Sequence, residues 1–152
     1  MAVIPDDIDL LITTQGLAAF RDRYEGLDYV PAFPGAEKQF RATETGVRVD
    51  FITAGEYPGD GKPKPVAFPD PAEASVEMDG IRVIVLEKFI ELKLTSGMSV
   101  SHRRKDLADI QELIRAKKLP LELDDRLDES VRPMYRQLWE EAQIPDALGY
   151  RD

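Results

Sequence analysis

Cysteine is absent from this 152-residue chain. That excludes disulfides, thiolate metal sites and a cysteine nucleophile. Histidine occurs once, as His102, so no multi-histidine zinc site can be built, and any Ser-His-Asp arrangement would have to centre on that residue. Long apolar runs are also missing, which leaves no window able to span a bilayer and no secretory leader pattern. Positive charge is in short supply: 20 Lys and Arg stand against 29 Asp and Glu, a net charge of −9. Such a surface has no general attraction for DNA or anionic lipid, so a phosphate-bearing ligand would need a metal ion or a few placed cations. These absences point to a cytoplasmic protein without a membrane partner. A hydrophobic content of 43% argues against disorder, and the length suits one domain over residues 1–152.

The pattern along the chain reads as strands first and helices last. Residues 7–12 form a strand entered through "PDDIDLLIT". Thr13 or Thr14 then caps a helix with Leu17, Phe20 and Tyr24 on one side. "KQFRAT" and "GVRVDFIT" read as two strands joined at Thr45-Gly46. Residues 53–71 are rich in proline and glycine and read as a long loop. "SVEMDGIRVIVL" is a hairpin turning at Asp79-Gly80. Helices follow at roughly 86–95, 101–117 and 126–142, with Gly97 just past the first and Ser101 capping the second. The run "LELDDRLDES" reads as a solvated linker. Trp139, Leu138 and Tyr135 pack against the body or a partner chain. An α+β fold with a mixed or antiparallel sheet follows, its sheet portion about 5–85 and its helices about 86–145.

Several charged residues fall where this pattern calls for apolar or solvated ones. Asp7 and Asp9 are two apart on a strand and share a face. Like charges so close repel unless a cation or proton lies between them. Asp50 has the same alternation in a second strand, so three carboxylates converge if the strands are neighbours. Hard oxygen donors of this kind suit Mg²⁺ or Mn²⁺.

In "LEKFIELKLT", helical phase puts Leu86, Phe89, Ile90, Leu92 and Leu94 on the apolar arc and Glu87, Lys88, Glu91 and Thr95 opposite. Lys93 interrupts the apolar arc. In "HRRKDLADIQELIR", Arg103 and Asp106 fall on the core side with Leu107, Ile110, Leu113 and Ile114, while Asp109 lies on the rim. An unpaired buried charge costs several kcal/mol. Lys93, Arg103 and Asp106 must therefore pair or face a polar pocket, and a structural ion-pair network satisfies that as well as a ligand site does. Lys62 and Lys64 in "GDGKPKP" could reach over a pocket as a lid, although that loop matches no phosphate-loop spacing.

"DDIDLL" followed by "VRVDFI" resembles the carboxylate signature of the nucleotidyltransferase superfamily with the polymerase-β-like fold. "FIELKLTSGMSVSHRRKDLADIQELI" resembles the lysine and arginine-lysine-aspartate motifs of the abortive-infection type and of uncharacterised bacterial nucleotidyltransferase-like proteins, some of which act as toxins of toxin-antitoxin pairs. The likeness covers roughly residues 5–118. It implies Asp7, Asp9 and Asp50 as the catalytic, metal-binding carboxylates, with Asp50 assisting deprotonation of the acceptor. It implies Lys93, Arg103 and Asp106 as nucleotide-binding residues, with Asp109 beside them.

The implied activity is transfer of NMP from a nucleoside triphosphate to a hydroxyl on a protein, small molecule or RNA, with Mg²⁺ or Mn²⁺ as cofactor. One departure stands out: the family's first strand, Gly-Gly or Gly-Ser turn and helix have no counterpart, since six residues without glycine precede Asp7. Either the chain begins late relative to an ancestral form or the phosphate cradle is absent, and the missing element would leave an open sheet edge suited to a homodimer. The alternative is an inactive member of the fold that serves as a binding or dimerisation module.

Overall fold

A computed structural model of the chain describes residues 7–145, with the side chain of His102 also outside the described set. The fold is α+β, the described residues forming a mixed four-stranded sheet, a second two-stranded sheet and four α-helices. The chain divides into two compact units. One holds residues up to Glu56 together with Phe68–Ala74, and the other holds Tyr57–Ala67 and residues from Ser75 onward. No helix among the described residues is long and apolar enough to cross a membrane.

In the first unit, β1 (Asp7–Ile12) leads through α1 (Thr14–Tyr24) to β2 (Tyr29–Pro31), β3 (Gln39–Ala42) and β4 (Arg48–Thr53). Thr13 caps α1 as its sequence suggests, its Oγ1 accepting from the Gly16 amide at 3.0 Å. The strand order is β1-β4-β3-β2, with β1 parallel to β4 and the other pairs antiparallel. Alternation along β4 buries Val49, Phe51 and Thr53 and turns Arg48, Asp50 and Ile52 the other way. The small core joins Leu17, Phe40, Val49 and Phe51, with Phe20 wedged edge-on against Phe40 and Phe51 at 5.3 and 4.7 Å. The short strand β2 had no counterpart in the sequence reading. It holds an edge, the one place in a sheet where Pro31 costs no ladder bond.

In the second unit, β5 (Ser75–Met78) and β6 (Ile81–Ile84) form the expected hairpin, with Asp79 and Gly80 both at positive φ as a type I′ turn requires. Among the described residues this hairpin shares no ladder with the four-stranded sheet, so the strands before residue 85 form two sheets rather than one. Next come α2 (Leu86–Ser99), α3 (Arg104–Lys117), a 3₁₀ segment at Leu121–Arg126 and α4 (Arg132–Gln143). One core joins Ile90 and Leu94 of α2, Ile110 and Ile114 of α3, Leu123 and Leu127, and Val131, Tyr135 and Leu138. Trp139 packs on that same core and donates to the Leu119 carbonyl at 2.8 Å, so it serves its own chain.

Three local expectations change. Gly97 lies inside α2 rather than past its end, because a Cβ there would stand 2.7 Å from Leu107 of α3. Hydrogen at that position is what allows the two helices to close. Ser101 starts a 3₁₀ turn, Ser101–Arg103, and caps nothing with its side chain; α3 begins at Arg104. The acidic run at 121–130 is no solvated linker, since Leu123, Asp124 and Leu127 are buried within it.

Candidate functional site

The sheet carboxylates come first. Parallel pairing sets Asp7 level with Arg48 and Asp9 level with Asp50. Side chains level on adjacent strands point to one face, about 4.8 Å apart at the backbone. Antiparallel pairing extends these rows to Arg41 and Gln39 on β3. The face opposite the aromatic core thus carries a row Asp7–Arg48–Arg41 and a row Asp9–Asp50–Gln39. Asp7 and Asp9 are exposed, and Asp50 is half-buried. Arg48 Nε donates to Asp50 Oδ1 at 2.8 Å. The guanidinium offsets part of the negative charge of that face. Among the described residues, no group of three His, Cys, Asp or Glu side chains is gathered closely enough to hold a metal ion. The pair that the register does bring level is Asp9 and Asp50.

The helical charges form a cluster within the second unit. Lys93, Ser96 and Gly97 stack on one side of α2 by their three- and four-residue spacing. Gly97 admits Leu107, and the neighbouring Asp106 then meets α2. Lys93 Nζ donates to Asp106 Oδ1 at 3.0 Å and to Asp109 Oδ2 at 3.2 Å. Ser96 Oγ donates to Asp106 Oδ2 at 2.7 Å. Both oxygens of the buried Asp106 are therefore satisfied. Burial disfavours the charged carboxylate, but the Ser96 and Lys93 hydrogen bonds and the nearby Lys93 and Arg103 charges outweigh it, and the Asp106 pKa falls below its ordinary value. Burial likewise works against the Lys93 ammonium, yet its bonds to Asp106 and Asp109 raise its pKa. The ammonium also stands 5.9 Å from the centre of the half-exposed Phe89 ring, within reach of a cation–π contact.

Helical phase thus found a real partnership between Lys93 and Asp106, and Asp109 joins it from the rim. Arg103 is different. Placed on the core side by phase, it is exposed, because the 3₁₀ turn through Ser101–Arg103 breaks the α-helical register one residue before α3 starts. The lid idea for Lys62 and Lys64 also changes: Lys64 Nζ is engaged by Asp60 and by the Lys62 carbonyl of its own loop. His102 falls outside the described side chains.

Two buried acids escaped the sequence reading. Glu91, expected on the outer arc of α2, is 6% exposed, and Thr95 beside it is also buried. The segment before α4 covers that arc: the Asp128 amide donates to Glu91 Oε2 at 2.7 Å, and Lys88 holds Oε1. Asp124 is buried against Arg136. Leu86 and Phe89, expected in the core, stay more than a third exposed. The one available signal was Ser96, three residues after Lys93 on the same face.

No protein-family model, curated protein or solved structure matches this chain.

Proposed function

We propose that this chain is a metal-dependent nucleotidyltransferase-like protein that passes NMP from a nucleoside triphosphate to a hydroxyl of a protein, small molecule or RNA. The observation that supports it is the register that makes Asp9 and Asp50 neighbours, with Asp7 two residues along on the same face. Carboxylates held level on adjacent strands favour a cation near them. Oxygen donors fit Mg²⁺ or Mn²⁺, and magnesium takes only one or two protein carboxylates, with phosphate and water completing its shell. Arg48 engages one oxygen of Asp50, and the carboxylate has a second.

In the proposed reaction the acceptor oxygen attacks the α-phosphorus. The bond from that phosphorus to the oxygen bridging the β-phosphorus breaks, and pyrophosphate leaves with the electron pair. Asp50 takes the acceptor's proton. Asp7, Asp9 and Asp50 would hold the ion, which would supply positive charge to the phosphate oxygens. Lys93, Arg103 and Asp106 are the nucleotide-binding residues that the resemblance implies, and within their own unit Asp106 fixes the direction of Lys93. The reading sets the protein in the cytoplasm and assigns the fold to the polymerase-β-like class.

A second reading has its own support. Lys93 already has two carboxylate partners within its unit, and that completeness suits an inactive binding or dimerisation module. Melting curves separate the two. Mg²⁺ or Mn²⁺ with ATP, CTP, GTP and UTP in turn should raise Tm for at least one pair, since a ligand at 100 times its Kd adds about 2.7 kcal/mol. Asp9→Ala should abolish the rise. No shift with any pair supports the inactive reading.

A further inference from the structure

The two edges of the four-stranded sheet differ. The β2 edge is closed: its strand has three residues, includes Pro31 and is bridged at Tyr29 by Glu25. The β1 edge is six residues long, and among the described residues no strand pairs with its outer side. Backbone groups along a strand point alternately to its two sides. The Ala54 amide donates to the Ile12 carbonyl at 2.9 Å, so residues 8, 10 and 12 bond toward β4. The N–H and C=O groups of residues 7, 9 and 11 point to the outer side. Side chains alternate too, between the two faces. Ile8 and Leu10 lie level with Val49 and Phe51 on the face of the aromatic core. Val49 and Phe51 are 7% and 5% exposed, whereas Ile8 and Leu10 are 39% and 44% exposed. The apolar layer therefore continues under β1 but its cover does not. On the opposite face Asp7 and Asp9 are exposed.

We infer that the outer side of β1 takes an extended peptide segment of a partner protein, added as a fifth strand, in which apolar and cationic side chains alternate. Three features of β1 select that occupant. The outward backbone groups of residues 7, 9 and 11 match an extended main chain, whose ladder hydrogen bonds supply affinity that a small apolar area cannot. Ile8 and Leu10 are covered by apolar side chains of a strand lying about 4.8 Å away. Asp7 and Asp9 are met by Lys or Arg on the opposite face, because opposite charges level on neighbouring strands attract. Like charges repel there. The β1 of a second copy would bring the same two acids against these, and a net charge of −9 on each chain opposes that approach further. The same net charge draws a cationic segment in. The inference does not rest on the proposed nucleotide chemistry, and its test contains no divalent ion.

The test titrates the isotope-labelled full chain, in metal-free buffer, with a synthetic end-blocked hexapeptide of alternating lysine and valine. Saturable amide shifts at residues 7–12 are expected, with slowed hydrogen exchange at the Leu11 amide. One further peptide is methylated on its lysine backbone nitrogens and another on its valine backbone nitrogens, so each loses the donors of one edge. At least one of the two should bind about tenfold more weakly, since each ladder bond contributes about 1 kcal/mol. A glutamate–valine peptide should not bind. Leu10→Lys should weaken the lysine–valine peptide by turning a cation onto the apolar face. Absence of shifts at residues 7–12 overturns the inference. So does equal binding of the unmodified and both methylated peptides to the wild-type chain, which would be charge attraction without a ladder. Unchanged binding by Leu10→Lys also overturns it.

Discussion

The acids of the two units differ in burial. In the helical unit, Asp106, Glu91 and Asp124 are buried, and each has donors aimed at it: Lys93 and Ser96, the Asp128 amide and Lys88, and Arg136. In the sheet unit, Asp7 and Asp9 are exposed on an edge strand, and Asp9 stands level with another carboxylate. The first group is explained by folding, since the buried charges are paired and their removal leaves donors stranded. The second group is not needed to close a core. The level carboxylates of β1 and β4 are what the proposed ion site rests on, and the buried network bears on stability.

The sharpest way to break that contrast is Asp106→Ala. It strands Lys93 and Ser96 and should lower unfolding free energy by about 2–3 kcal/mol in urea titration, toward the low end for a broken buried pair because Lys93 keeps some contact with water. Gly97→Ala is next. Alanine favours helix by about 1 kcal/mol over glycine, but its methyl would press on Leu107, where overpacking costs about 1–3 kcal/mol. Net destabilisation in the same titration is expected, and a gain would mean that α3 can shift.

The pH dependence comes third. Burial, with Asp124 and Glu122 nearby, pushes the Tyr135 hydroxyl from 10.0 up to about 12. Its unfolded form ionises first, so stability holds below pH 10.0 and is lost as pH rises toward 12. Lys93, raised from 10.5, adds to the alkaline loss above that value, and Asp106, lowered from 3.8, adds an acid loss as pH falls below that value. Tyr135→Phe should flatten the alkaline limb and cost about 1 kcal/mol at neutral pH for the lost bond to the Pro120 carbonyl. The smallest effect belongs to the sheet. Asp9→Ala, at an exposed position, should change stability by less than about 0.5 kcal/mol in the same titration.

Elements with a strong local signal were legible in the residues. The β1 strand, the Thr13-capped helix, the Asp79-Gly80 hairpin and the Lys93–Asp106 partnership all follow from alternation, capping, turn chemistry or helical phase. What could not be read depends on structure that phase does not carry. Glu91 looks exposed until the chain before α4 is laid over it. Arg103 looks inward until a 3₁₀ turn replaces the assumed α-helix. Pro31 argues against a strand until the strand is known to be an edge. Leu123 and Leu127 lie in an acidic run whose average polarity hides them.

Manganese offers the direct test of the sheet carboxylates. Substoichiometric Mn²⁺ added to isotope-labelled protein broadens the amide signals nearest the ion. Selective broadening at residues 7–10 and 48–51, lost in Asp9→Asn, is the predicted result. Uniform broadening, or broadening centred on other acids with residues 9 and 50 still sharp, would contradict it.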